Sequence, residues 1–413
     1  MGTTRPFFIM KQFVIALLLL PALSSAQKKE KYTAYLFTYF TGNTGSEEAI
    51  RFAISGDGYH FRTLNNDQPV LSSRAISSTG GVRDPHIMRG KDGKTFYMVA
   101  TDMVSAKGWS SNRGMVLLRS TDLIHWTSSV VNIQTKYPGQ EKLERVWAPE
   151  TIYDDSAKKY LVYFSLKYSG EPDRICYAYV NRDFTDLEGE PRQLFYSPDG
   201  AACIDGDIVS KGGRYFLFFK TEDRQPGIKI AVSNRLTGGY QMQSKNYVQQ
   251  TTNAVEGACT FKLNDGSGYI LMYDVYMTGG YQFTKTTDFR NFKVVDERVD
   301  MNFHPRHGTV MPLTSAEGAR LASEWLSPGP SLLSPRNKAI HPGGAAYDSV
   351  SEVLTLGVSA GTDLRRFDPQ FVKYPGVSVM PAGEQDFMKG GILYTIKVGS
   401  KERRYLVVVR VSE

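Results

Sequence analysis

Cysteine is scarce in this chain, with three in 413 residues. That is too few for a disulfide framework, and their spacing is not that of a zinc site. Long segments with apolar residues every 3.6 positions are missing too, which excludes a helical bundle. No run of five or more basic residues occurs, and the formal charge of +7 is spread along the chain. A nucleic-acid partner therefore has no electrostatic footprint here. No apolar stretch reaches the ~20 residues that a membrane span needs. Bulk disorder is equally excluded, because 41% of the residues are hydrophobic and only 22% charged. What is abundant is Tyr, Phe and Gly, at 24, 22 and 38 residues. That mixture suits many short strands joined by turns.

The N-terminus has the layout of an export signal. Arg5 and Lys11 supply positive charge, Phe13 to Leu20 a short apolar core, and Leu23-Ser24-Ser25-Ala26 small residues at a cleavage position. Residues 1–26 are thus expected to be a secretory signal peptide, and the mature protein periplasmic or extracellular.

From Tyr32 onward, short β-rich runs follow one another: Tyr35–Phe40, Phe96–Ala100, Met115–Arg119, Tyr160–Ser165, Tyr215–Lys220, Ile228–Ser233 and Tyr269–Asp274. The fold class is all-β. Self-comparison finds a strand running into a turn and an aromatic at 53–61, 118–126 and 284–292, with weaker echoes at 179–187 and 231–240. The turn Ser55–Phe61 is similar to the Asp-box, a structural turn.

A second repeat carries more chemistry. It reads Val82-Arg83-Asp84-Pro85-His86-Ile87, Trp147-Ala148-Pro149-Glu150, Ile204-Asp205-Gly206-Asp207, Val255-Glu256-Gly257 and Arg306-His307-Gly308. Aligned on Pro or Gly, the preceding residues are Asp84, Ala148, Asp205, Glu256 and His307. Their separations of 64, 57, 51 and 51 residues each suit one four-stranded propeller blade. Equivalent positions on the innermost strands of a propeller converge on its axis, and four of these five are ionisable. The ring also closes: Tyr32–Leu64 offers three strands without an inner one, and Arg306–Thr314 offers an inner strand with little chain after it. Together they complete one blade and remove an exposed edge. The expected architecture is a five-bladed β-propeller at 32–327.

Three carboxylates on one channel suit glycoside hydrolysis. One must protonate the leaving oxygen, and another must activate water or attack. A third close to the acid would hold its proton near neutral pH. The alternative use of Asp84 and Asp205 is as turn residues before Pro or Gly.

On these stretches the chain resembles glycoside hydrolase family 43, the inverting five-bladed propeller enzymes, over about residues 32 to 325. The resemblance implies Asp84 as general base, Asp205 as modulator of the acid, and Glu256 as general acid. It matches His307 to a channel histidine that in many members lies beside a bound calcium. No cofactor is implied for the chemistry itself, and the partner is an oligo- or polysaccharide. Trp147 is a candidate for stacking on a sugar, with a core role as the alternative. Arg83 and Arg306 could orient a carboxylate or bind hydroxyls. Glu150 and Asp207 are expected to be structural. Cys203 and Cys259 are expected as buried free thiols, with a disulfide between them the lesser alternative.

Pro328, Pro330 and Pro335 mark a linker. Beyond it lie strands at Val353–Val358, Val377–Met380, Leu393–Val398 and Tyr405–Val411, and the stretch Tyr374–Phe387 followed by Ile392–Val398 resembles small Ig-like modules of secreted Bacteroidetes proteins. A β-sandwich accessory domain is expected at 331–413. The leading functional expectation is an exo-acting α-L-arabinofuranosidase or β-D-xylosidase on plant polysaccharide side chains. Exo-galactan or β-galactofuranoside hydrolysis is the same-class alternative. A non-catalytic glycan-binding propeller is the alternative from another class.

Overall fold

Strands of four to twelve residues dominate the chain. The computed structural model describes residues 1–3, 31–222 and 226–411. Beyond residue 3, the signal expected at 1–26 lies outside the described residues.

Four sheets are simple up-and-down meanders of consecutive strands. They open with Val82–Arg89, Leu143–Asp154, Cys203–Lys211 and Glu256–Lys262, referred to below as the inner strands. A fifth sheet joins the two ends of this region. Tyr32–Tyr39 pairs on one side with Arg51–Ser55 and on the other with Gly308–Thr314, which is the fifth inner strand. The second strand of each meander is apolar on both faces, as in Phe96–Asp102 and Tyr269–Val275, because each sheet is covered on both sides. One buried cluster shows the packing: Leu161, Tyr163 and Ile175 of the second meander meet Leu217, Phe219 and Ala231 of the third.

The strand-to-aromatic repeat is a fixed hydrogen-bonded turn. Asp57 Oδ1 accepts from the backbone N–H groups of Tyr59 and His60, and Asp122 and Asp288 likewise accept from the N–H groups two and three residues on. In each copy the residue after the Asp is left-handed: Gly58 (φ 82°), Leu123 (φ 69°) and Phe289 (φ 58°). These carboxylates are consumed by turn geometry.

The inner strands share a device that sequence alignment alone does not reveal. In the first, Arg83 faces Thr101 and His86 faces Val99, so two residues oppose one. The same one-residue bulge recurs between Trp147 and Glu150, between Ile204 and Asp207, and between Glu256 and Cys259. Its first residue is left-handed every time: Asp84 (φ 50°), Ala148 (φ 45°), Asp205 (φ 51°) and Gly257 (φ 60°). Asp tolerates that conformation better than most side chains, and Gly best. The register therefore pairs Asp84 and Asp205 with Gly257, whereas alignment on Pro or Gly pairs them with Glu256. Glu256 stands one residue earlier, level with Arg83, Trp147 and Ile204. In a flat strand that slip would turn the side chain to the other face.

Two features escaped the sequence reading. The helix Ser315–Trp325 follows the fifth inner strand, started by a capping box in which Thr314 and Glu317 bond each other's backbone N–H. The strand Ile340–Asp348 carries a Pro and two Gly, which mask its β character. The C-terminal strands join in one five-stranded sheet rather than two facing ones, since Val353–Val358 pairs in parallel with Lys401–Val411. Its cover comes from elsewhere: Leu354, Leu356 and Ile396 share one core with Leu321 of the helix and with Leu36 and Phe52. Cys176, Cys203 and Cys259 are buried free thiols.

At Gly257 a Cβ would lie 2.6 Å from the His307 ring, in a conformation that already disfavours side chains. Gly257→Ala is expected to cost about 2 kcal/mol, as overpacking at a strained site does, read from the denaturant midpoint. An unchanged midpoint would show that the bulge does not clamp His307.

Candidate active site

Because of the bulges, two successive positions on the first and third inner strands reach one pocket. Arg83, Trp147, Ile204 and Glu256 come from the position before the bulge, and Asp84 and Asp205 from its first residue. His307, Met103 and Trp109 complete the lining. The structure thus brings Asp84, Asp205, Glu256, Trp147 and His307 together. Arg306 is not among the lining residues and instead holds Glu256, as described below.

Asp84 accepts a hydrogen bond from Thr101 Oγ1 at 2.7 Å and lies 3.4 Å from His307 Nδ1. Burial pushes its pKa up, but the His307 hydrogen bond and charge, with Arg83 and Thr101, outweigh burial and hold it below the usual carboxylate value. Asp84 is therefore ionised at neutral pH. Asp205 differs. Burial and the charge of Glu256 push it up to about 6 against the opposing charges of His307 and Lys220. Its Oδ2 accepts from Gly257 N–H at 3.2 Å, and its own N–H donates to Ser165 Oγ at 3.2 Å.

Glu256 is bracketed by cations. Lys220 Nζ lies 3.0 Å from Oε2, and Arg306 Nη2 lies 2.8 Å from Oε1. Arg306 Nε also donates to Asp274 Oδ2, and Lys220 Nζ lies 2.8 Å from Glu222 Oε1. Arg83 is tied to Glu48 at 3.0 Å and sits over Phe40 and Trp109. Trp147 is stacked by the Arg145 guanidinium at 3.7 Å and meets Trp109 edge-on at 6.1 Å. Trp109 is nevertheless 51% exposed, an open indole beside a charged pocket.

Glu150 and Asp207 lie behind the pocket and do not line it. Tyr163 donates to Glu150 at 2.5 Å, and Thr260 N–H to Asp207 at 2.7 Å. Burial raises both, Asp207 to about 7. Burial and the nearby His307 charge push His86 down to about 3.

His307 is the positive centre. Burial opposes its charge, yet its hydrogen bond to Asp84 and the charges of Asp205, Asp84 and Glu150 push its pKa up to about 10. Calcium takes six to eight oxygen ligands, and histidine binds metals through neutral imidazole. Among the described residues no three His, Cys, Asp or Glu side chains are grouped as metal ligands. These residues do not fit a calcium held at His307, and no step below passes through one.

Trp109, Thr101, Lys220 and Asp274 escaped the sequence reading as site residues. The signal existed for two of them: Lys220 and Asp274 are charged residues that follow the apolar runs Tyr215–Phe219 and Tyr269–Tyr273 within their strands. Trp109 sits in a Gly/Ser loop outside any repeat.

The raised folded pKa of His307 contributes stability that is complete below the unfolded value of ~6.5 and is lost as pH rises toward about 10. Imidazole NMR of His307 should stay in the protonated form from pH 5 to 8, and titration near 6.5 would contradict the arrangement.

The family described as "Probable glycosyl hydrolase domain", related to family 43, matches residues 30–319. An α-L-arabinofuranosidase of Bifidobacterium longum subsp. longum is 30% identical over 314 residues, covering 60% of this chain and 28% of that protein. The chain thus spans little more than a quarter of that relative. Among solved structures, a xylan β-1,4-xylosidase from Bacillus halodurans is 14% identical at a TM-score of 0.49, over 67% of this chain and 55% of that one. An endo-1,4-β-xylanase from Bacteroides thetaiotaomicron is 16% identical at 0.47, over 67% and 93%. On the family match, which takes in all five inner strands, the chain belongs to the glycoside hydrolases of the family 43 group.

Proposed function

We propose that this chain is an exported, exo-acting glycosidase that inverts configuration while releasing L-arabinofuranose or D-xylose from plant polysaccharide side chains. The observation that carries the reading is the convergence of Asp84, Asp205 and Glu256 on one pocket beside two tryptophans. The five sheets of residues 32–314 are read as the blades of a propeller, and the C-terminal sheet as an accessory module. The arabinofuranosidase relative favours arabinose among the sugars.

Each carboxyl has one task. Asp84, kept ionised by His307, takes a proton from the attacking water. Glu256 donates to the leaving oxygen. Asp205, whose own pKa the charge of Glu256 helps to raise, stands beside the acid as its modulator. Trp109 offers an exposed indole face on which a sugar ring can stack. Inversion requires room for water on the side of the sugar facing Asp84, with base and acid roughly 6.5–9.5 Å apart.

Release of 4-nitrophenol from the α-L-arabinofuranoside, β-D-xyloside and β-D-galactofuranoside tests the class. Turnover of the first or second supports the proposal, the third alone moves it to galactofuranosides, and none points to a glycan-binding propeller. Asp84→Asn should lose activity on every substrate, by ~10²–10⁴-fold or more. Glu256→Gln should lose as much on polysaccharide and far less on nitrophenyl glycosides, whose leaving group needs little protonation. Equal losses on both would remove Glu256 as the acid. NMR of the first-formed product should show inversion, and retention would demand a carboxylate nucleophile instead.

A further inference from the structure

A general acid alternates between carboxylic acid and carboxylate in every turnover. When Glu256 carries its proton, Lys220 and Arg306 each lose a counter-ion, and both are largely buried, with 5% and 18% of their side chains exposed. A buried cation without a partner is strongly unfavourable. Each of these two already holds a second carboxylate. Lys220 Nζ is 2.8 Å from Glu222 Oε1, and Arg306 Nε bonds Asp274 Oδ2. Asp274 is directly opposite Glu256 in the sheet register, and its side chain is only 1% exposed. Its other oxygen, Oδ1, is buried without a hydrogen-bond partner. Among the described residues Arg306 is thus the one cation bonded to it.

Two cations face three carboxylates, so the group carries one net negative charge when Glu256 is ionised and none when Glu256 is protonated. We propose that Asp274 and Glu222 are positioning residues that bias Glu256 toward its protonated, proton-donating form by supplying the counter-charge its two cations would otherwise take from it. The inference rests on the proposed role of Glu256 as the acid. Removing either carboxylate leaves Glu256 as the needed counter-ion, so it gives up its proton at lower pH. The other groups facing Glu256 stay in place in such variants: Asp205 from the preceding inner strand, His307 beside Gly257, and Tyr281 on the strand next to Asp274.

The test uses the whole protein with ¹³C-labelled carboxyls, the Glu256 signal being assigned by its loss in Glu256→Gln. In Asp274→Asn and in Glu222→Gln, the titration midpoint of Glu256 should fall by about one pH unit. The basic limb of the pH–rate profile on an oligosaccharide should move down with it, while the acidic limb set by Asp84 stays. Glu222→Asp should restore the parent profile. Should Asp274→Asn fail to fold, Glu222→Gln decides, since Glu222 is 38% exposed at its side chain. A Glu256 midpoint unchanged or raised in the folded variants overturns the proposal, as does a fall in rate that is uniform across pH. If the parent hydrolyses no glycoside at all, the proposed function fails. The NMR midpoints then still decide whether Asp274 and Glu222 control the proton on Glu256.

Discussion

A one-residue bulge at the same register in four inner strands is the constraint on which the site depends. Each bulge holds its first residue in a left-handed conformation, and on the first and third inner strands two neighbouring side chains thereby reach the same pocket. Without it, strand alternation would send one of every adjacent pair into the packing between sheets. With it, a single strand contributes Arg83 and Asp84, the next but one Ile204 and Asp205. The backbone of the fourth bulge gives up its side chain altogether, and Gly257 packs against the His307 ring so closely that no Cβ fits. The cost of left-handed Asp84, Ala148 and Asp205 is offset by the hydrogen bonds these residues make with Thr101 and Ser165. Thr101 Oγ1, for example, receives the Ala148 N–H and donates to Asp84.

Charge placement follows from this geometry. Asp84 and Asp205 occupy equivalent bulge positions, yet burial and neighbours push their pKa values in opposite directions. His307 acts on both, but it hydrogen-bonds Asp84, whereas Asp205 feels its charge alone and that of Glu256 against it. Glu256, one position earlier, lies within reach of Lys220 and Arg306 instead. One repeated backbone element, carrying different residues, thereby yields a carboxylate, a group near its titration point and a carboxyl between two cations. Division of labour between carboxyls is what acid–base catalysis at one bond demands.

How much of this was legible beforehand depended on period. Strands with alternating or fully apolar patterns, such as Phe96–Asp102 and Val353–Val358, declare themselves. The spacing of Asp84, Asp205 and Glu256 pointed to one axis because residues a whole number of repeats apart must occupy similar places. The bulge was hidden, since it adds one residue to each copy alike and leaves no irregularity in the sequence. Its trace is the offset of Glu256 against Gly257, which alignment on Gly absorbs. Lys220, Asp274 and Trp109 were missed for a different reason: they reach the site from second strands and a loop, where no repeat marks them. The single C-terminal sheet was missed because a parallel pairing between Val353–Val358 and Lys401–Val411 has no local signature.

The most direct measurement is a crystal structure of the Glu256→Gln protein with an arabinose- or xylose-bearing oligosaccharide. The account predicts a terminal sugar in the pocket against Trp109, its anomeric carbon facing Asp84 across one water. The linking oxygen should lie within hydrogen-bond distance of the side chain at position 256. An oligosaccharide bound away from this pocket, or one whose anomeric carbon faces neither residue, would contradict it.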